Sequence, residues 1–291
     1  MNSARAFLEG IIDYAGLFPP ASLDMQTAVE RYAFYLSGEN RDLLGRFILP
    51  VQRLDEFENA VALLPSDDEW KVSIIAGDDV VSASDAAKDF NDRHRRGFCA
   101  TIDTIEGPAR SIEGIERAST LADSFKIYLE VPLSPDPRQL LEAISRTAAS
   151  AKMRTGGIAE SAIPEAEDVL RFIETCIDLD VPFKATAGLH HLVRGKYRLT
   201  YEPESPYGNM FGYLNIFIAS AFALEHKHDA ALNALGEMNE SNFRFTEAGV
   251  HWRDHSLTWP TLARVRESVA TSFGSCSFDE PVTEAMAASI I

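Results

Sequence analysis

Two stretches decide the fold: "AKMRTGG" (residues 151–157) and "FKATAGLHH" (183–191). Each begins like a buried β-strand, carries one lysine part-way along and ends in glycine. An ammonium group in a core strand is costly unless one face of that strand has a use for it. Side chains along a strand alternate between its two faces. Lys152 and Arg154 therefore share a face, as do Lys184 and Thr186. A third stretch, "SFKIYLEVP" (124–132), behaves in the same way: Lys126, Tyr128 and Glu130 share one face, with Phe125, Ile127 and Leu129 on the other. The apolar face packs on helices, and the polar face points into a lumen.

Outward from these segments, short apolar β-branched runs alternate with stretches of helical period. The predicted strands span 11–18, 46–52, 70–77, 98–105, 124–132, 150–157, 182–189 and 242–249. Between them lie helical patterns such as "SLDMQTAVERYAFYLSG", opened by a serine cap, and "IPEAEDVLRFIETCIDL". A long apolar helix is expected over 207–236, and a last one over "SLTWPTLARVRESVATSF". Strict alternation also fits an open doubly wound sheet. Eight strands in one undivided chain favour a single (β/α)8 TIM barrel over residues 1–291.

In such a barrel the chemistry sits at the C-terminal strand ends and the loops after them. The first strand brings Asp13 and Tyr14 there, and the fourth Asp103 and Glu106. The fifth brings Lys126, Tyr128 and Glu130. The sixth brings Lys152, Arg154, Thr155, Gly156 and Gly157, and the seventh Lys184, Thr186, His190 and His191. The segment taken as the eighth brings Arg244, Thr246 and Glu247, with His251 beyond it. Three lysines crowded in one poorly hydrated volume would depress a lysine pKa, and the neutral amine is the form that attacks a carbonyl. The competing reading is structural: Lys126 with Glu130 makes a plausible lumen ion pair, and the glycine pair makes a tight turn. With Arg154, that same glycine turn offers backbone N–H groups to an anion.

The motifs "FKIYLE", "AKMRTGG" and "FKATAGLHH" resemble the late strands of deoxyribose-phosphate aldolase and its class I aldolase relatives over roughly residues 124–190. That resemblance implies a barrel lyase in which a sixth-strand lysine forms a Schiff base with a substrate carbonyl. A seventh-strand lysine lowers its pKa, and an aspartate from an earlier strand moves protons. Residue by residue, it implies Lys152 as the Schiff-base lysine, Lys184 as its cationic neighbour and Asp103 as the acid. Glu130 is a further acid/base candidate. Arg154, Thr155, Gly156, Gly157, Thr186, His190, His191 and Glu247 are expected to bind substrate. This chain departs from the family pattern at Arg154-Thr155 and at "GLHH", and "TEAGVHW" does not read as the family's Gly-Ser-rich phosphate loop.

Two further readings stay open. His190 and His251 with Glu247 or Glu130 would make a metal-assisted lyase or hydrolase, although no metal-binding spacing is present. A barrel that only binds an anionic metabolite is the other. No nucleotide loop occurs, so no cofactor is expected. The formal charge of −17 argues against nucleic acid and anionic membranes as partners. A small anionic or carbonyl substrate in a local basic pocket remains compatible with it. The apolar stretch 210–224 is too short to span a bilayer, and no targeting segment is read at the N-terminus. Three widely spaced cysteines suggest neither a disulfide framework nor a metal knuckle, and fit a cytoplasmic setting. Self-association into a homo-oligomer is left open.

Overall fold

A computed structural model describes residues 3–64, 69–94 and 100–291. Eight parallel strands close into a (β/α)8 TIM barrel: β1 (Ile12–Tyr14), β2 (Leu44–Pro50), β3 (Trp70–Ile75), β4 (Ala100–Pro108), β5 (Lys126–Glu130), β6 (Ser150–Arg154), β7 (Phe183–Thr186) and β8 (Ala270–Ser275). Each pairs with its sequence neighbour, and β8 closes the ring on β1 through Ile12–Phe273, Asp13–Gly274 and Tyr14–Ser275. Phe98 and Cys99, the first two residues of the predicted fourth strand, lie outside the described residues.

The alternation read from the sequence holds in the burial. Ala151, Met153, Phe183 and Ala185 are sealed against the helical layer, while Lys152 and Lys184 point into the lumen. Lys126 differs from expectation. It begins β5, opposite Thr104, and is exposed at the amino end of the barrel, far from the strand tips.

The predicted eighth strand is a correction. Residues 242–249 do contain a strand, Phe243–Thr246, but it belongs to a three-stranded antiparallel sheet with Gly249–Trp252 and His255–Thr258. Turns of two residues join these strands, a connection that only antiparallel neighbours can make; a parallel barrel strand needs a long crossover. The true closing strand, "ATSFGS", follows the helix Trp259–Ser268 after a single residue. Its small residues extend the helical pattern without a visible break, so the sequence reads them as helix.

The long apolar helix also divides. After β7 the chain makes a hairpin, Gly195–Arg198 with Tyr207–Met210, and then the helices Tyr213–Leu224 and His228–Leu235. His226, at φ +58°, breaks the run between them. The helix Tyr213–Leu224 is apolar all round because it is covered all round, by the barrel and by the neighbouring helices. Its one amide, Asn215, is fully satisfied: the carbonyl oxygen accepts from the Arg194 and Gly212 N–H groups, and the nitrogen donates to the Ala234 and Glu237 carbonyls. It ties the loop after β7 to the two helices, as its apolar surroundings in sequence suggest. The expected serine cap of the first barrel helix is replaced by Asp24, whose carboxylate accepts from the Thr27 N–H. No helix among the described residues is long and apolar enough to cross a membrane.

Candidate active site

The carboxyl ends of the strands surround a cleft of about 440 Å³. Its wall carries a ladder of alternating charges. At the bottom, Asp13 Oδ2 accepts from Lys184 Nζ at 2.6 Å and from the Ser272 hydroxyl at 2.9 Å. Lys184 also donates to Glu106 Oε1 at 2.7 Å, and lies 5.4 Å from the centre of the Tyr128 ring. Glu106 Oε1 accepts a further hydrogen bond from Ser73 at 2.8 Å. The other oxygen, Oε2, lies 2.9 Å from Lys152 Nζ. Lys152 is in turn 3.1 Å from Glu130 Oε2, and Glu130 Oε1 is 3.3 Å from Arg154 Nε.

Side-chain exposure climbs along this ladder: 1% for Asp13 and Lys184, 2% for Glu106, 8% for Lys152, 30% for Glu130 and 53% for Arg154. Lys184 and Glu106 are thus walled in, Lys152 stands at the boundary, and Arg154 forms the rim. Three acids face three cations, so the cluster is neutral as a whole.

At Lys184 the electrostatics run against the depression expected of crowded lysines. Burial pulls the Lys184 ammonium downward, but Asp13 and Glu106 outweigh it and hold its pKa above the usual lysine range. Burial pushes the Glu106 carboxyl upward, and the charges of Lys184 and Lys152 overcome it and hold it well below the usual range. Glu130 is lowered in the same way, by Lys152 and Arg154 acting against burial. Lys184 is therefore a fixed cation.

Asp103 is also a correction. It is the extra residue of a bulge between the Val72–Ile102 and Ser73–Thr104 pairings, which breaks the side-chain alternation of β4. Its carboxylate is gripped by Arg46 at 2.6 and 2.8 Å in the first half of the strands, away from the cleft. Glu106, three residues on, is the acid that β4 delivers to the lysines. It was visible as a strand-end residue, but the bulge hid its parity with them. Asp13 was visible in the same way, on a strand of three residues that is too short to show alternation.

The remaining expected residues divide. Thr186, Gly157 and His190 line the cleft with Lys152, Lys184, Glu130 and Arg154. Thr155 turns inward and donates to the Ala187 carbonyl at 2.7 Å, fastening the β6 turn to the β7 turn. Gly156 lies against Gly188, whose Cα a Cβ on Gly156 would meet at 3.1 Å. Close approach of two backbones is therefore the reason for glycine at 156, and the left-handed residue of this pair is Gly188, at φ +77°. His191 points away from the cleft. It is 2.7 Å from Glu284 Oε1 and stacks on Tyr197, pinning the hairpin to the last helix, Asp279–Ala287. Glu247 sits exposed at the turn of the antiparallel sheet, where its carbonyl accepts from the Trp259 indole. His251 is in that sheet too, opposite Arg244 and Ser256. His190, His251 and Glu247 are therefore not brought together, and among the described residues no group of three His, Cys, Asp or Glu side chains is placed to hold a metal ion.

His190 and Cys276 form an uncharged wall. The imidazole is 3.1 Å from the Ser275 hydroxyl and 3.6 Å from the Cys276 sulfur. Burial, aided by His191, lowers its pKa to about 4, so it is neutral at pH 7. Burial raises the Cys276 thiol to about 11, so it too is uncharged. The opposite side of the cleft is apolar, with Phe18, Ile48 and Ile75, and with Pro19 and Pro20 joined by a cis peptide bond.

Fold and site together define a TIM barrel whose strand tips hold two lysines bridged by one buried carboxylate. No family model and no curated protein matches the chain. Among solved structures, a lysine/ornithine decarboxylase from Vibrio vulnificus, determined with cadaverine, is similar at a TM-score of 0.42 and 9% identity. The match covers 94% of this chain and 58% of that one, so the chain spans less than two thirds of the length of that protein.

Proposed function

We propose that the protein is a lyase that holds a small carbonyl compound as an imine on Lys152. The supporting observation is the position of that one amine. Lys152 Nζ lies on the cleft wall between two carboxylates, Glu106 at 2.9 Å and Glu130 at 3.1 Å, while Lys184 behind it is engaged with Asp13 and Glu106. A nucleophilic lysine needs a group beside it to take its proton and return it, within hydrogen-bond reach. Glu130, the more open of the two acids, is so placed.

The steps balance without a further reactant. The Lys152 ammonium gives a proton to Glu130, and the lone pair so freed attacks the carbonyl carbon. A second nitrogen proton passes to the new alkoxide, Glu130 returns its proton to that oxygen, and the C–O bond breaks as water leaves, forming a cationic imine. That imine accepts the electron pair of the bond between the α and β carbons as that bond cleaves. The β carbon departs as an aldehyde as its hydroxyl proton passes to the Glu130 carboxylate, the enamine takes that proton back at its α carbon, and water hydrolyses the imine to free Lys152. Glu106 and Lys184 supply fixed, opposite charges around the nitrogen throughout.

The order of parts, with an acid on β4 and lysines on β6 and β7, is the one that the resemblance to deoxyribose-phosphate aldolase implies, with Glu106 in the place given to Asp103. The phosphosugar half of that resemblance has weaker support. The true β8 runs into Gly274-Ser275-Cys276-Ser277, but the following helix opens with Asp279 and Glu280. Ser275 is engaged with His190, and the Ser277 hydroxyl accepts from the Glu280 N–H.

Solvent exchange tests this reading. In D2O, the imine–enamine equilibrium of a small ketone or aldehyde on Lys152 replaces hydrogens α to the carbonyl with deuterium, as NMR would read. Exchange that disappears in Lys152→Met supports the proposal. Exchange no faster than with buffer carboxylate and amine alone contradicts it.

A further inference from the structure

Glu130 marks a second feature of the cleft. One carboxylate spans Lys152 and Arg154, with an oxygen on each: Oε2 is 3.1 Å from the Lys152 Nζ and Oε1 is 3.3 Å from the Arg154 Nε. The two cations are next-but-one on β6, so their Cα atoms are about 6.6 Å apart on the same face. The gap between the reacting nitrogen and the guanidinium is thus no longer than one carboxylate and two hydrogen bonds.

Arg154 is also underused. Its side chain is 53% exposed, and it meets Glu130 through Nε alone. A contact of this kind at the solvent boundary is worth little, and a carboxylate that engages both edges of the guanidinium in parallel is stronger. Arg110 lines the same rim, and its partner Asp78 is as exposed as it is, at 73% each. In TIM barrels a phosphate commonly sits at the loops after β7 and β8 and at a following helix N-terminus. Here that position carries the Asp279 and Glu280 carboxyl groups, which repel an anion. Among the described residues the cationic groups at the rim are Arg110, after β4 and paired with Asp78, and Arg154, at the tip of β6 and close beside the nucleophile. Phe18, Ile48 and Ile75 make an apolar side, with Asp78 exposed beyond it, and His190 and Cys276 an uncharged one.

We infer that the substrate is a short oxo acid: its carbonyl carbon reaches Lys152, its carboxylate displaces Glu130 from Arg154, and its uncharged remainder lies against Phe18, Ile48 and Ile75. The inference rests on the imine reading of Lys152 and adds the anion and its distance from the carbonyl. A terminal phosphate separated from the carbonyl by a sugar chain does not fit a gap this short. Displacing Glu130 from Arg154 also leaves that carboxylate beside Lys152 as the proton carrier.

The test compares carbonyl probes of matched size, trapped with cyanoborohydride and read as mass on the peptide that contains Lys152. Pyruvate is set against acetone, 2-oxobutanoate against butanone, and dihydroxyacetone phosphate serves as the phosphorylated probe. The expected result is half-saturation at least tenfold lower for each oxo acid than for its ketone. In Arg154→Gln the ratio falls to within twofold. The ratio is measured within each protein, so loss of folded material cancels, and a melting curve of the variant confirms that it is folded. Equal half-saturation for oxo acid and ketone, or tighter trapping of the phosphorylated probe, overturns the oxo-acid inference and leaves the imine on Lys152 standing. No adduct on Lys152 with any probe overturns both.

Discussion

Glu106 joins Lys152 to Lys184, with one carboxylate oxygen 2.9 Å from the first ammonium and the other 2.7 Å from the second. Three strands of the barrel, β4, β6 and β7, are thereby tied together at the level where the cleft begins. The two lysines are equivalent in sequence pattern but not in environment, and their substitutions should differ accordingly.

Replacing Lys184 with Met leaves Asp13 and Glu106 as buried anions without their shared cation. Removing one partner of a buried ion pair costs about 3–5 kcal/mol. Lys152→Met should cost less, because Glu106 keeps Lys184 and Glu130 is open enough to be hydrated. Chemical denaturation of the two variants beside the parent protein measures the difference. Equal losses would mean that the Lys184 pair is not as dry as its geometry indicates.

The same cluster sets an acid limb of stability. The Glu106 pKa is depressed in the folded state from an ordinary value of 4.5, so the native state holds the ionised form more firmly than the unfolded chain does. Its stabilisation is complete above 4.5 and is lost as pH falls below that value towards the folded pKa. Lys184 has the opposite sign: its contribution is complete below 10.5 and is lost only as pH rises beyond it. Denaturant titrations between pH 2 and 5 should show a steep fall in the parent protein and a flatter one in Glu106→Gln, which starts from lower stability. Parallel curves would contradict the assignment.

His190 adds a separate window. It is buried and neutral, with a pKa near 4 against an ordinary 6.5, so the unfolded chain takes up a proton first as pH falls. Folding stability should therefore decline between 6.5 and about 4 by an amount that His190→Gln lacks. The difference between the two stability curves isolates this proton, and a difference that stays constant across the window would show that the imidazole is hydrated.

The turn after β7 depends on glycine. Gly188 has φ +77°, and a Cβ there would meet the Gly156 Cα at 3.1 Å, a backbone atom that cannot yield as a side chain can. The left-handed backbone alone costs about 1–2 kcal/mol for another residue. Gly188→Ala should lose at least that much, whereas Gly114→Ala, in the helix Ile112–Ser119 with 3.4 Å to its nearest neighbour, should not. Denaturation midpoints of the two variants provide the comparison.

Much of this barrel is legible in the sequence because β5, β6 and β7 are long enough to show which residues alternate. Lys152, Arg154 and Lys184 share their faces in the structure as they do in the string of letters. The acids were harder to place. A bulge at Asp103 shifts the parity of β4, so the aspartate that fits the family motif faces Arg46, and Glu106 takes the place beside the lysines. The closing strand was hidden for a different reason. "ATSFGS" is poor in β-branched residues and abuts a helix, while the strand-like "NFRFTEAG" satisfies its hydrogen bonds in a local hairpin. Tertiary pairing decides between such segments, and it puts the loop that follows β8 at residues 276–278 rather than after residue 249.

The most direct measurement is peptide mapping after reductive trapping with a small carbonyl compound. A single adduct on Lys152, absent in Lys152→Met and with none on Lys184, is the result expected from one accessible amine between two carboxylates and a second sealed behind them. Modification confined to surface lysines, or located on Lys184 while Lys152 stays unmodified, would contradict it.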